Sequence, residues 1–264
     1  MKFLKQLFGL NKPSASNKHP KVNPDMELIK QRLLAQLEPF KKTAYIPATE
    51  SVGSAFTADS KIGGLPYLRN GGDWPVCPNC NNHMQLFLQL NLNELPVNAE
   101  NSLIQLFYCT NDKPMCESDC EAYFPFSKSV VCRKIQVENP PVEITPTLVG
   151  PFHEKRIIGW IPIDDYPHYD ELADLGLNLD EEDFEILEIA EEGISIAGDK
   201  LFGWPHWVQS VEYPFDRKTG SQMNLLFQLD SEVNLPYMFG DSGIGHLTQS
   251  PDNENELAFA WACC

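Results

Sequence analysis

The sequence predicts an α+β protein dominated by antiparallel sheet, built as two similar halves packed into one body. Three observations predict it. Short apolar runs alternate with period two, as strands buried on one face do. Turn-forming Pro, Gly and Asn clusters separate them. The run after Lys61 recurs after Lys200 at an offset of 139 residues.

The repeat is legible residue by residue. "KIGGLPYLRNGGDWP" from Lys61 faces "KLFGWPHWVQSVEYP" from Lys200. Lys61 meets Lys200, Gly64 meets Gly203, Pro66 meets Pro205, and Pro75 meets Pro214. The same offset carries "MQLFLQL" (84–90) onto "MNLLFQL" (223–229). Unbroken register over this distance favours an internal duplication.

The elements follow in order. Pro24-Asp25 opens a helix to about Glu38, with Leu28, Leu33, Leu34 and Leu37 inward. "AYIPAT" begins a strand region. Strands are expected near 84–92, 102–109 and 129–137, with Met84, Leu86, Leu88, Leu90 and Leu92 sharing one face. "ENPPVEITPTLVGP" reads as an extended connection, and the acidic stretch after it as helical with a leucine-rich buried side. Further strands are expected near 223–230 and 244–249, with "LAFAWACC" closing the chain. The organisation is thus a flexible tail and linker (1–24), a first half with the cysteines (25–150) and a second half with the acidic insertion (151–264).

Charge narrows function. The net charge is −17, and Ile157 to Asp199 holds fourteen acids and no Lys or Arg. That argues against nucleic-acid binding, which needs a basic footprint, and suits a basic protein partner. No apolar run approaches the roughly 18 residues of a membrane span. Residues 1–10 offer at most weak membrane-surface contact, and no secretory leader is read there, so the expected compartment is the cytoplasm.

In a reducing compartment, clustered cysteines more often bind metal or do redox work than form structural disulfides. Cys77-x2-Cys80 is a knuckle that turns two thiolates to one point. Cys109 ends the next apolar run, and Cys116 and Cys120 contend for a fourth place, with His83 an outside candidate. The expected cofactor is one structural zinc. A thioredoxin-like pair should open a helix, whereas here a strand follows. At the 139 offset, Cys77 and Cys80 fall on Asp216 and Thr219, so the second copy lacks the knuckle. A zinc-dependent hydrolase or other metalloenzyme remains the alternative, and catalytic residues are not assigned.

"GDSG" (240–243) resembles the nucleophile turn of trypsin-like proteases, but no matching His context lies upstream, and a tight turn is the better reading. Trp74, Gln89, Trp204, Trp207, Gln228 and Asp241 are the candidate lining of a binding groove, with core packing of the aromatics the competing reading.

Taken together, "SKIGGLPYL", "WPVCPNC", "MQLFLQLNL", "CESDCEAYFPFSKS", "KLFGWPHWVQ" and "MFGDSGIG" resemble the bacterial YwqG family, a domain group of unknown function. The first repeat is similar to the C-terminal domain of programmed cell death protein 2. That resemblance implies a protein- or peptide-binding scaffold, chaperone-like as in the eukaryotic relatives or immunity-like as suspected for some bacterial ones. It brings no catalytic residues with it.

Overall fold

The computed structural model describes residues 24–70, 74–97, 100–138, 141–144, 150–177 and 195–264. Helix α1 (Pro24–Leu37) leads into β1 (Lys42–Val52) and the two-residue β2 (Lys61–Ile62). Then come β3 (Gln85–Asn91), β4 (Ser102–Tyr108), the single-turn α2 (Cys116–Asp119), β5 (Val130–Gln136) and β6 (Glu154–Asp165). The chain closes with β7 (Lys200–Phe202), β8 (Asn224–Asp230), β9 (Ile244–Gln249) and β10 (Leu257–Ala262).

All ten strands form one antiparallel sheet in the order β10-β9-β8-β7-β1-β6-β2-β3-β4-β5. The order reads alike from either edge towards the central β1–β6 pair. The sheet curls until its edges meet: the Trp261 amide donates to the Tyr123 carbonyl at 3.2 Å, and their rings lie edge to face at 5.9 Å. Edge strands left open invite foreign pairing, and curling protects them. The interior is one apolar core drawn from both flanks, including Phe87, Leu88, Tyr108, Phe227, Phe239 and Phe259.

The halves interlock. β1 hydrogen-bonds to β7, and β6 to β2, so each central strand serves the opposite flank. β6 is the longest strand, and most of it falls between the expected extended connection and the acidic stretch, where no element is expected. Its second half is largely open to solvent, and Ile158 and Ile161 are 59% and 57% exposed, so it lacks the buried alternation that marks strands.

The offset of 139 holds in atomic detail. Gln89 is fully buried; its amide donates to the carbonyls of Thr57 and Asp59, and its oxygen accepts from the Tyr67 N–H at 2.8 Å. Gln228 repeats this with Ile196, Gly198 and the His206 N–H at 2.8 Å. Lys61 pairs with Glu154 at 3.2 Å and Lys200 with Asp165 at 2.9 Å, all four side chains sealed from solvent. These carboxylates are the first and last residues of β6. Gly64 and Gly203 admit them: each has φ of +79°, and a Cβ would collide with Glu154 or Asp165 respectively.

Two expectations are corrected. A bulge between Leu86 and Leu88 breaks the alternation of β3, so Leu88, Leu90 and Leu92 face the interior while Met84 and Leu86 face an outer cluster around the cysteines. β8 bulges at the matching place, between Leu225 and Phe227. The start of the acidic stretch is β6 and a short 3-10 turn rather than helix; residues 178–194 of it lie outside the described residues. The buried side expected there holds for Leu172, which packs with Leu33 and Leu37 of α1.

Candidate metal centre

Three local structures bring four sulfurs together. The first is the hairpin from Val76 to His83, joined by a bridge between those residues. Its turn is closed by Cys77 N–H to Asn82 O and Asn81 N–H to Cys77 O, both 2.8 Å, with Asn81 at φ 59°. The second is the end of β4, where the Cys109 N–H donates to Ser129 O at 3.0 Å. The third is the start of α2, where the Cys116 N–H donates to Asn111 O and Pro114 O. Antiparallel pairing of β3 with β4 carries Cys109 back beside the knuckle.

The sulfurs of Cys77, Cys80, Cys109 and Cys116 lie within 4.8 Å of one another. Cys77 to Cys116 is 3.8 Å and Cys80 to Cys109 is 3.6 Å. A tetrahedral ion with metal–sulfur bonds of about 2.3 Å has sulfur–sulfur edges of about 3.8 Å. The four residues therefore have the donor chemistry and spacing to hold a metal ion. Cys116 takes the fourth place; Cys120 closes α2 one turn on, outside the group, and its carbonyl accepts from Ser127 Oγ at 2.7 Å. His83 stacks on Trp74 at 5.4 Å and is also outside the group.

Burial and nearby N–H groups act on these thiols in opposite senses. Burial pushes the Cys109 thiol upward and the Cys116 thiol to about 11. Burial also raises Cys77, but N–H groups of Asn79 and Cys80 aimed at its sulfur outweigh it and hold that thiol below its usual range. Asn79, overlooked in the sequence although it sits inside the knuckle, donates to Cys116 Sγ at 3.4 Å and to Asp119 at 3.2 Å. Such outer partners orient ligands. Leu68, Trp74, Met84, Leu86 and Phe107 pack around the sulfurs.

The second half closes the equivalent hairpin without thiolates. Phe215 bridges Gln222, and Asp216 replaces Cys77. Its Oδ1 accepts from the N–H groups of Lys218 and Thr219, at 2.7 and 3.0 Å; the nearby Ser250 hydroxyl first, and then these two N–H groups, hold the carboxyl down at about 2.

The six candidate groove residues do not share one groove. Gln89 and Gln228 are buried pins, as above. Trp74 is buried and donates to Met84 O at 2.7 Å. Trp207 is buried and donates to Glu171 at 2.6 Å. Asp241 is exposed in the "GDSG" turn, where Gly240 and Ser242 have positive φ and the Gly243 N–H caps onto Phe239 O. Trp204 alone of the six lines a cleft of about 670 Å³ in the second half. Phe202, Tyr213, Asn224 and Leu225 line it too, and Lys42 lies 3.4 Å over the Trp204 ring. Tyr213 donates to Glu171 at 2.9 Å on the cleft wall, and burial raises the Glu171 carboxyl.

Among the described residues no helix is long and apolar enough to cross a membrane, and residues 1–10 lie outside them. Compared with known families, residues 60–264 match the model of a domain of unknown function, DUF1963. No curated protein matches the chain.

Proposed function

The chain belongs to the DUF1963 family of unknown function, and from that premise we propose that it is a cytoplasmic, non-enzymatic protein- or peptide-binding module held in shape by one structural zinc. The observation that carries this is the set of four cysteine sulfurs, three of them on buried residues and Cys80 half-buried, packed in an outer cluster of apolar side chains. Zinc prefers this all-thiolate tetrahedron for structural sites, whereas catalytic zinc keeps a position open to water and takes His or carboxylate ligands. Lys61 and Lys200 are sealed against carboxylates, and burial holds His168 and His246 neutral.

The matching pins at the 139 offset support descent of the halves from a duplication, with the metal a clip on one copy. The resemblance to the YwqG family and to the C-terminal domain of programmed cell death protein 2 supports the chaperone-like or immunity-like role. The acidic stretch supports a basic partner.

Elemental analysis of protein purified without chelator should find about one zinc per chain. Cys77→Ser and Cys116→Ser should lose the metal and lower the melting temperature, while Cys120→Ser keeps the metal. Protein without zinc and with the wild-type melting temperature would refute the structural site. Robust turnover of a small substrate that chelation abolishes while the fold survives would replace the binding role with a metalloenzyme.

A further inference from the structure

One connection sets the halves apart. β4 reaches β5 through residues 109–129, whereas β9 reaches β10 through residues 250–256. The long connection carries two things in succession. It starts with Cys109 and Cys116, half of the sulfur cluster. Further along it meets β10 at the seam, where the two outer strands of the sheet, β5 and β10, come together. Among the described residues no strand pairing joins β5 to β10.

The connection fastens the seam instead. The Trp261 N–H donates to Tyr123 O at 3.2 Å, and Arg217 lies 4.3 Å over the Phe126 ring. Glu117, the residue after Cys116, makes the widest tie. One of its carboxylate oxygens accepts from Tyr108 Oη at 2.7 Å and from Tyr237 Oη at 2.5 Å. The Trp261 indole N–H donates to the same Tyr108 oxygen at 2.9 Å. Tyr108 ends β4, Tyr237 follows β8, and Trp261 belongs to β10, so one side chain joins both halves. The Lys134–Glu254 pair also spans the seam, at 3.0 Å, but Glu254 is exposed and such a pair holds weakly. α2 cannot keep Glu117 in place unaided. It is a single turn of four residues, too short to be stable without outside contacts. Its first residue is the one ligand that neither the Val76–His83 hairpin nor β4 supplies.

We propose that the metal centre is a latch on this seam. An ion bound by the four sulfurs fixes Cys116 to the hairpin and so holds Glu117 on Tyr108 and Tyr237, with β5 and β10 shut together. When the ion leaves, α2 lets go and the seam opens. The proposal rests on the metal-site reading and gives it a consequence in the opposite half. An ion that binds only the closed arrangement favours it by mass action, and residues 116–129 are the element it biases. An open seam bares the edge groups of β5 and β10 that closure protects.

The Trp261 amide is the reporter, because its acceptor lies in the long connection. Its hydrogen exchange is measured in the full chain, zinc-loaded and chelated. Chelation should speed it by about tenfold or more. Zinc-loaded Glu117→Ala should show a similar gain while it keeps about one zinc per chain and a protected 76–83 hairpin. Tyr237→Phe, which loses only a hydroxyl and leaves packing intact, should give about threefold with zinc still bound. Trp261 exchange that ignores chelation would overturn the latch; zinc binding with loosening of 76–83 alone would then leave the structural-zinc reading standing. Zinc-loaded Glu117→Ala and Tyr237→Phe that both exchange as wild type does would also overturn it. A chain that takes up no zinc would remove both readings.

Discussion

A lysine sealed from water needs a carboxylate at hand, because an unpaired buried charge costs several kcal/mol. Lys61 and Lys200 meet that need through Glu154 and Asp165. Glu154→Gln should therefore destabilise the fold by about 3–5 kcal/mol in urea unfolding, whereas Lys61→Met with Glu154→Leu should recover most of that loss. At this scale the sequence was half legible. Lys61, Lys200, Gln89 and Gln228 stood out because they recur at one offset. Their roles did not, because Glu154, Asp165 and the carbonyls of Thr57 and Asp59 lie outside the matched runs. A polar residue on an alternating strand reads as solvated when its buried partner is remote in sequence. The fourth ligand was undecidable for a related reason. Cys116 and Cys120 stand one helical turn apart, and only the seating of α2 against the hairpin selects Cys116.

Elements show the same division. β3 and β8 were legible from period-two runs, β4, β5, β9 and β10 as short apolar runs between turns, and α1 from its Pro-Asp start. The bulges were not, since an extra residue in a strand leaves no signature in an unbroken apolar run. β6 escaped because its side chains are largely exposed, and its strand character comes from pairing with β1. The two hairpins make a matched comparison. Metal removal by a chelator should raise amide hydrogen exchange in 76–83 and 109–120, where sulfurs hold the turns. Exchange in 215–222 should stay unchanged, because the Asp216 carboxylate performs that task without an ion. Equal loosening of both hairpins would contradict a local clip.

For the whole molecule, acid should loosen the second half. Burial, the main cause, lowers His246 to about 3 and His168 to about 4 from an ordinary 6.5. The Lys200 charge adds to this for both. The unfolded chain therefore binds these protons first as pH falls. Their contribution is complete above about pH 6.5 and is lost as pH drops towards the folded values, about 3 kcal/mol for His168 and about 5 kcal/mol for His246. Urea midpoints recorded from pH 7 to pH 4 should drop more in wild type than in His246→Gln. Equal slopes for the two proteins would mean that this ring is reached by water. Asp216 stays ionised in the native state throughout that range, whereas burial raises Asp199 to about 6 and Glu171 as well, so those two bind protons in the native state and oppose the loss.

β6 has one more consequence, in the order of synthesis. A ribosome delivers Lys61 nearly a hundred residues before Glu154, and β1 long before either of its neighbours, β6 and β7. Until β6 emerges, the nascent first half holds a lysine it cannot bury and a strand with nothing on either side. It must wait, open, and the last residue of β6 then prepares the site for Lys200 before that residue is made. The four clustered cysteines precede β6, as do β3 and β4 that seat them, so this part of the molecule can gather early. A metal bound at that stage would give a half-made chain its first fixed point.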